Sequence, residues 1–229
     1  MKKYTLILDT ETVSKKAYFS IYDHYVFDFG FCIVDNETKE IVYEYDVFIK
    51  EIWEDEDYMR HFFFSDNYLD WYKDNLDKPV VSMEAARFSF YLAVEQYYIE
   101  DIAIYNATFD INSLRTTSAA FCKEAIDLYD FHIIDIYHMA CQALRDEEAY
   151  KVFCETNGFL TDKGNIQSNV EAVYSYITNS SFKEAHTALE DAKVEKEIYF
   201  WTLDREKTEG YEYIRTPNSN CWRLVQRKK

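Results

Sequence analysis

Apolar runs near the start of the chain predict three β-strands. They extend from Tyr4 to Leu8, from Tyr25 to Val34 and from Ile41 to Ile49, and Asp35-Asn36 is predicted to form a turn between the last two. Each run has the length and apolar character of a buried strand. Three such strands in succession indicate an antiparallel meander.

Helical and strand patterns alternate after Pro79. In chain order they predict a helix from Met83 to Tyr97, a strand from Ile102 to Tyr105, a helix from Ala107 to Lys123, a strand from His132 to Asp135 and a helix from Ile136 to Arg145. Strands that alternate with helices are typical of parallel pairing. A meander followed by such units is the order of a ribonuclease H-like α/β fold, in which helices flank a mixed sheet.

The remaining segments are interpreted as two insertions and a tail on one domain. Residues 1–203 form the domain, with an aromatic and acidic insertion at 51–78 and a helical and turn insertion at 146–182, followed by a basic tail at 204–229. In the first insertion, helical spacing such as Tyr58 and Phe62 favours core packing over a platform for stacked bases. In the second, a turn or small hairpin precedes a helix that the capping box Ser168-Asn-Val-Glu171 is expected to begin.

The stretch EAHTALEDA, residues 184–192, predicts the start of the last long helix. Thr187 and Glu190 have the spacing of a capping box, in which both side chains satisfy amides at the helix start. His186 then lies just outside the helix, and Asp191 lies in its first turn, where the helix dipole favours a carboxylate. The helix is expected to continue to about Leu203.

Further acidic residues are predicted at the ends of other elements. Asp9 and Glu11 follow the first apolar run at alternate strand positions, so they project from the same face. Asp110 lies in the first turn of the helix that follows Asn106. With Asp191, these residues are four carboxylates at element ends, where α/β sheets place their sites. Neighbouring acids repel each other unless a cation lies between them, and Mg²⁺ or Mn²⁺ prefers oxygen ligands.

The net charge of −17 argues against a surface that binds nucleic acid through clustered lysine and arginine. Five basic residues and no acidic one lie between Arg215 and Lys229, so the tail is a candidate phosphate contact. The acidic composition is also compatible with a different class of protein, a non-catalytic mimic of nucleic acid that binds the basic surface of a partner.

Composition favours a cytoplasmic protein with no membrane segment. No apolar run approaches the ~20 residues that a membrane-spanning helix needs, and no signal-peptide cleavage site follows Met1. The five cysteines are odd in number and include no C-x-x-C pair, which favours reduced core residues. The rich use of Tyr, Phe, Lys and Glu indicates a phage or low-GC bacterial source.

Three motifs together resemble a known family. They are Asp9-x-Glu11, Asn106-x-x-x-Asp110 and His186-x-x-x-x-Asp191, and in this order they look like the exonuclease motifs of the DEDDh 3′-to-5′ exonucleases. That family includes the proofreading subunits and domains of DNA polymerases and the oligoribonucleases. The resemblance spans residues 4 to about 203. It implies an enzyme that acts on single-stranded 3′ ends, with DNA as the expected substrate, RNA as the alternative and a polymerase or other replication or repair protein as a partner.

The resemblance also implies a two-metal site for Mg²⁺ or Mn²⁺. In such a site Asp9 bridges both ions, Glu11 and Asp191 complete the site of the ion that binds water, and Asp110 holds the second ion. His186, with an unperturbed pKa of about 6.5, is the general base. Contacts to the terminal nucleotide are expected from Thr10, Thr12, Asn106 and Phe109.

Some positions depart from the family pattern or suggest another site. Tyr105 replaces a histidine and Val13 a glycine that many relatives carry, which bears on substrate fit, and Thr187 disfavours the tyrosine-type variant of the family. A rival metal-binding set at helical spacing comprises His132, Asp135, His138 and Cys141. Asp135 has the position of a helix cap and Cys141 that of a core residue, so this set is the less favoured of the two.

Overall fold

A computed structural model describes residues 2–14, 23–59, 66–210 and 212–215. The strands in this part of the chain are β1 (Tyr4–Ser14), β2 (His24–Asp35), β3 (Ile41–Ile49), β4 (Val80–Val81), β5 (Asp101–Ile104) and β6 (His132–Asp135). The α-helices are α1 (Lys50–Trp53), α2 (Glu56–Met59), α3 (Asp66–Asn75), α4 (Met83–Tyr97), α5 (Ala107–Phe121), α6 (Ile136–Leu144), α7 (Glu148–Asn157), α8 (Val170–Thr178) and α9 (Ala188–Glu209).

The strands form one mixed sheet in the order β4-β3-β2-β1-β5-β6. β1, β2 and β3 pair as an antiparallel meander, and β5 and β6 continue the sheet in parallel with β1. The predicted α/β fold, with a mixed sheet flanked by helices, is therefore confirmed. β4 was not predicted, because a strand of two residues is too short to show a period.

β1 is longer than its apolar run predicted and continues from Leu8 to Ser14. The polar residues after Leu8 remain paired to β2, in a register that places Asp9 opposite Gly30 and Glu11 opposite Asp28. The pairing with β2 thus extends the strand beyond the apolar residues and carries both acidic residues inside the sheet.

Hydrophobic cores cover the two faces of the sheet. Leu6 and Leu8 of β1 belong to one core, which α4 and α5 also line, whereas Ile7 belongs to the other, with α6, α8 and α9. This division follows from the alternation of side chains along a strand. α9 packs against β1 and β2, and its first turn lies against Gly30 of β2, the residue that pairs with Asp9 of β1.

Aromatic side chains of the 51–78 segment pack in the core where the structure describes them. Trp53 stacks on Phe48 of β3 with the ring centroids 4.1 Å apart. Tyr58 and Tyr72 are buried. Core packing is confirmed for these residues, while the segment 60–65, which includes the predicted partner of Tyr58, lies outside the described residues.

The start of α8 differs from the predicted capping box. Asn169 is the cap, and its side chain accepts a hydrogen bond from the amide of Ala172 at 3.1 Å. Glu171 does not close a box with Ser168 but accepts a hydrogen bond from the amide of Glu184 at 3.1 Å. The box was wrong because asparagine is an equally good cap one residue later.

α9 also ends later than predicted. It continues past Leu203 to Glu209, where an ion pair with Arg205 one turn earlier stabilises the last turn. Gly210 then ends the helix with a φ of 76°. None of the described helices is both long enough and apolar enough to cross a membrane. Residues 216–229, most of the basic tail, lie outside the described residues.

Candidate active site

Asp9 and Glu11 lie within the strand β1, past its apolar half. Both are half-buried, whereas Leu8 and Thr10, on either side of Asp9, are buried. The register of β1 against β2 shifts directly after Glu11, which marks a β-bulge. Bulges are common beside active sites, where they change the direction of side chains. The strand therefore presents two carboxylates on one face at an irregular point of the sheet.

The second predicted pair follows β5, the parallel neighbour of β1. Asn106 is exposed, has a left-handed φ of 60° and makes no side-chain cap to α5. Asp110 is 3% exposed, and its Oδ1 accepts a hydrogen bond from the Thr10 hydroxyl at 2.7 Å. This bond joins the first turn of α5 to β1 and brings Asp110 beside Asp9, on whose charge it acts. The same hydrogen bond occupies the hydroxyl of Thr10, which was one of the predicted substrate contacts.

The third predicted pair lies at the start of α9. His186 is outside the helix with a left-handed φ of 54°, and Asp191 is in its first turn, as predicted. A left-handed φ is uncommon for histidine. The ligand atoms of Glu11, His186 and Asp191 lie within 4.8 Å of one another. The fold thus brings the first and third motifs together.

The cap of α9 is not the predicted box. Thr187 Oγ1 is buried without a hydrogen-bond partner among the described residues, and Glu190 forms an exposed ion pair with Lys193. The cap comes from β2 instead, since Asp28 Oδ2 accepts a hydrogen bond from the amide of Ala188 at 3.3 Å. A residue distant in sequence therefore fixes the start of the helix that carries Asp191.

A buried ion-pair network holds Asp28. Lys78 Nζ donates to both Asp28 oxygens, at 2.9 and 2.7 Å, and lies 2.8 Å from Asp46 Oδ1. Burial raises the pKa of Asp28 to about 6, an effect that Lys78 opposes. On the same face of β2, a Cβ on Gly30 would lie 2.2 Å from the amide nitrogen of Leu189. Glycine is therefore required for the close packing of α9 on β2.

Replacing Asp28 with alanine is expected to lower the free energy of unfolding by about 3 to 5 kcal/mol, because Lys78 loses a buried partner and Ala188 loses its cap. Urea unfolding without metal measures this loss. The matched control is Glu190→Ala, which removes the glutamate of the predicted capping box and should change the free energy by no more than about 0.5 kcal/mol. A larger loss for Glu190→Ala than for Asp28→Ala would contradict the cap from β2.

Burial and mutual repulsion perturb the titratable groups of the site. Desolvation is the largest cause, and it raises the pKa of Asp110 to about 7 and that of Asp191 to about 8. The pKa values of Asp9 and Glu11 are raised well above the usual range by burial and by neighbouring carboxylates. Desolvation lowers the pKa of His186. Such clustered perturbation is typical of functional sites.

Two further acidic residues lie beside the predicted set. Glu195, one turn after Asp191 on α9, is 2% exposed and accepts a hydrogen bond from the Tyr105 amide at 3.3 Å. Burial raises the pKa of Glu184 to about 7. The position of Glu195 was readable from the sequence, because helical spacing from Asp191 through Glu195 to Ile198 places it on the buried face of α9.

The acidic residues fit a hard divalent cation. Asp191 Oδ1 is buried and has no hydrogen-bond partner among the described residues, which leaves an oxygen suited to a cation. Besides the group of Glu11, His186 and Asp191, a second group of converging ligand atoms contains Glu171, Glu184 and His186. A cation at the first group would remove the repulsion between carboxylates and give the buried Asp191 oxygen a partner.

The predicted nucleotide contacts fall into two places. Thr12 Oγ1 lies 3.4 Å from Nδ1 of His24, whose ring packs edge-on against Phe109 with centroids 5.0 Å apart. No sequence pattern predicted a role for His24. Asn106 instead lines a cavity of about 620 Å³ together with Glu184. Contact of these residues with a nucleotide stays a prediction.

The rival metal-binding set does not converge in the described part of the chain. Asp135 caps α6 by accepting a hydrogen bond from the His138 amide at 3.1 Å, and Cys141 is buried. His132 Nδ1 lies 2.9 Å from Asp101 on the neighbouring strand. Neither group of converging ligand atoms among the described residues includes this set.

Solved 3′-exonuclease structures resemble this protein. A 3′-exonuclease that recognises the 3′ end of a histone mRNA stem-loop superposes with a TM-score of 0.58 and 9% identity, over 93% of this chain and 85% of that one. The nuclease domain of 3′hExo, a DEDDh family member bound to rAMP, gives 0.56 and 12% over 94% and 96%. This chain has their fold.

A third similar structure is Escherichia coli Exonuclease I in complex with a dT13 oligonucleotide. It superposes with a TM-score of 0.56 and 14% identity over 91% of this chain, which spans only 42% of that enzyme. No protein-family model matches the sequence, and no curated protein matches it. Identities this low make the similarity one of fold.

Proposed function

We propose that this protein is a divalent-cation-dependent exonuclease that hydrolyses phosphodiester bonds at single-stranded 3′ ends. The observation that carries the proposal is the convergence of Glu11, Asp191 and His186 beside Asp9, whose charge interacts with that of Asp110. Hydrolysis by water needs a nucleophile at neutral pH and compensation for the charge of the reacting phosphate. This set of residues contains groups for both tasks.

Asp9, Glu11, Asp110 and Asp191 are proposed to hold two divalent cations, Mg²⁺ or Mn²⁺. When bound, such cations lower the pKa of water and stabilise charge on the attacking and leaving oxygens. Asp9 would be a ligand of these cations, since its charge interacts with those of the other three carboxylates. Asp110, oriented by the Thr10 hydroxyl, is assigned to the second ion.

His186 is proposed as the general base that accepts the proton of the attacking water. Its position supports this role, because the residue lies outside α9 while its ring nitrogen is within 4.8 Å of oxygens of Glu11 and Asp191. An imidazole can accept and release a proton near neutral pH. Carboxylates that hold a cation are poorer proton acceptors at this pH. Asp28 and Gly30 support the site by fixing the start of α9.

The terminal nucleotide is proposed to contact the Thr10 backbone, Thr12, Asn106 and Phe109. The substrate is proposed to be DNA, with RNA as the alternative. Solved exonucleases of similar fold are compatible with either substrate, since one recognises an mRNA stem-loop and another binds a dT13 oligonucleotide.

Paired DNA and RNA strands of one sequence test the proposal. Each strand carries a 5′ label and is incubated with Mg²⁺, Mn²⁺ or EDTA. We expect progressive shortening with a cation and none with EDTA, and the ratio of the two rates gives the sugar preference. Intact strands of both kinds with either cation would contradict the proposal. Tight binding of a basic protein by the inactive chain would then favour a nucleic-acid mimic.

A further inference from the structure

Glu195 is a buried acidic residue with no role in the proposed hydrolysis. It is 2% exposed, and no lysine or arginine pairs with it among the described residues. Burying an unpaired carboxylate is unfavourable unless a cation or hydrogen bonds compensate for the lost hydration. The amide of Tyr105 supplies a hydrogen bond at 3.3 Å, but a single neutral donor leaves the charge without a counter-ion.

The surroundings of Glu195 are the proposed cation ligands. Burial, followed by the charges of Asp110 of α5 and Asp191 of α9, raises the pKa of Glu195 well above its usual range. The charge of Glu195 also acts on Asp9 of β1. Tyr105 is the last residue before Asn106, so its hydrogen bond ties α9 to the loop that carries the second motif. Glu195 therefore lies one turn from Asp191, where α9 meets the loop before α5.

We propose that Glu195 is a fifth carboxylate of the cation site and increases the affinity of the site for divalent cations through its charge. This proposal rests on one part of the proposed function, namely that the acidic residues bind divalent cations. Charges attract more strongly in buried surroundings than in water, so a buried carboxylate one turn from a ligand favours cation binding. Glu195 is not proposed as a ligand, and it acts on the cation through its charge.

The variant Glu195→Gln isolates the charge. Glutamine has the same shape and keeps an oxygen that can accept the Tyr105 hydrogen bond. Mn²⁺ binding to the metal-free protein, without nucleic acid, is measured from the electron paramagnetic resonance signal of free Mn²⁺. We expect affinity to fall at least about ten-fold, because one buried charge beside a divalent ion is lost.

A control on the same helix is Glu197→Gln. Glu197 is exposed and pairs with Lys196, so its removal should change Mn²⁺ affinity less than about two-fold. The melting temperature of each metal-free variant checks the fold. We expect Glu195→Gln to melt at or above the wild-type temperature, since it loses a charge among like charges, and to gain less from added Mn²⁺ than wild type.

Glu195→Asp separates charge from packing. It keeps the charge but shortens the side chain, so we expect a lower melting temperature with Mn²⁺ affinity within about three-fold of wild type. Wild-type affinity in Glu195→Gln, or an equal loss in the Gln and Asp variants, would overturn the proposal. A wild-type protein that binds Mn²⁺ but releases no nucleotide would contradict the proposed function alone, and the variants would still decide the role of Glu195.

Discussion

Replacing Asp9 with asparagine is expected to lower the rate of nucleotide release at least about a thousand-fold, because the site would lose one of the four carboxylates proposed to hold the cations that activate water. Asp9 lies in the middle of β1, and the charges of Glu11, Asp110 and Asp191 all act on it. Asparagine matches its shape but brings no negative charge. Single-turnover release from a labelled strand at saturating Mn²⁺ measures the effect without the contribution of product release.

The melting temperature of the metal-free protein checks that the Asp9→Asn variant folds. The substitution removes one of several buried like charges, so the metal-free variant should melt at or above the wild-type temperature. Asp204→Asn provides the matched change at an exposed site, since Asp204 pairs with Lys39 on the surface. It should leave the rate unchanged. A rate within ten-fold of wild type for a folded Asp9→Asn variant would be incompatible with its role as a cation ligand.

Replacing His186 with alanine is expected to lower the rate by about a hundred-fold to ten-thousand-fold, the usual contribution of a general base. Mn²⁺ affinity and oligonucleotide affinity should stay within a few-fold of wild type. The matched control is His132→Ala, because His132 is exposed and pairs with Asp101 at the start of β5. That variant should retain the wild-type rate.

The two measurements on His186→Ala distinguish a base from a ligand. A ring nitrogen of His186 belongs to each of the two groups of converging ligand atoms, so the geometry also permits cation binding by the ring. Loss of a general base slows the reaction at saturating Mn²⁺, whereas loss of a cation ligand weakens Mn²⁺ affinity. Weakened affinity with a normal rate at saturation would therefore refute the base assignment.

The sequence predicted those parts of the fold and site whose signal lies in local spacing. Apolar runs located the meander, and the alternation of helices and strands located β5 and β6. Asp9 and Glu11 share a face because strand side chains alternate. The placement of His186 before α9 and Asp191 in its first turn also followed from local pattern.

Contacts between distant segments explain what the sequence did not predict. Thr187 and Glu190 have the spacing of a capping box, yet Asp28 of β2 supplies the cap through the Ala188 amide. Lys78, which holds Asp28, lies 50 residues from it in the chain, and no local pattern links the two. A local propensity was thus overridden by a tertiary hydrogen bond within a buried network.

The direction of degradation tests the central claim most directly. A single strand is prepared twice, once with a label on its 3′ nucleotide and once with a label at its 5′ end, and both are incubated with Mn²⁺. We expect the 3′ label to leave first as a mononucleotide while the 5′ label remains on progressively shorter strands. Release of the 5′ label first, internal cleavage, or equal degradation in EDTA would contradict a cation-dependent 3′-to-5′ exonuclease.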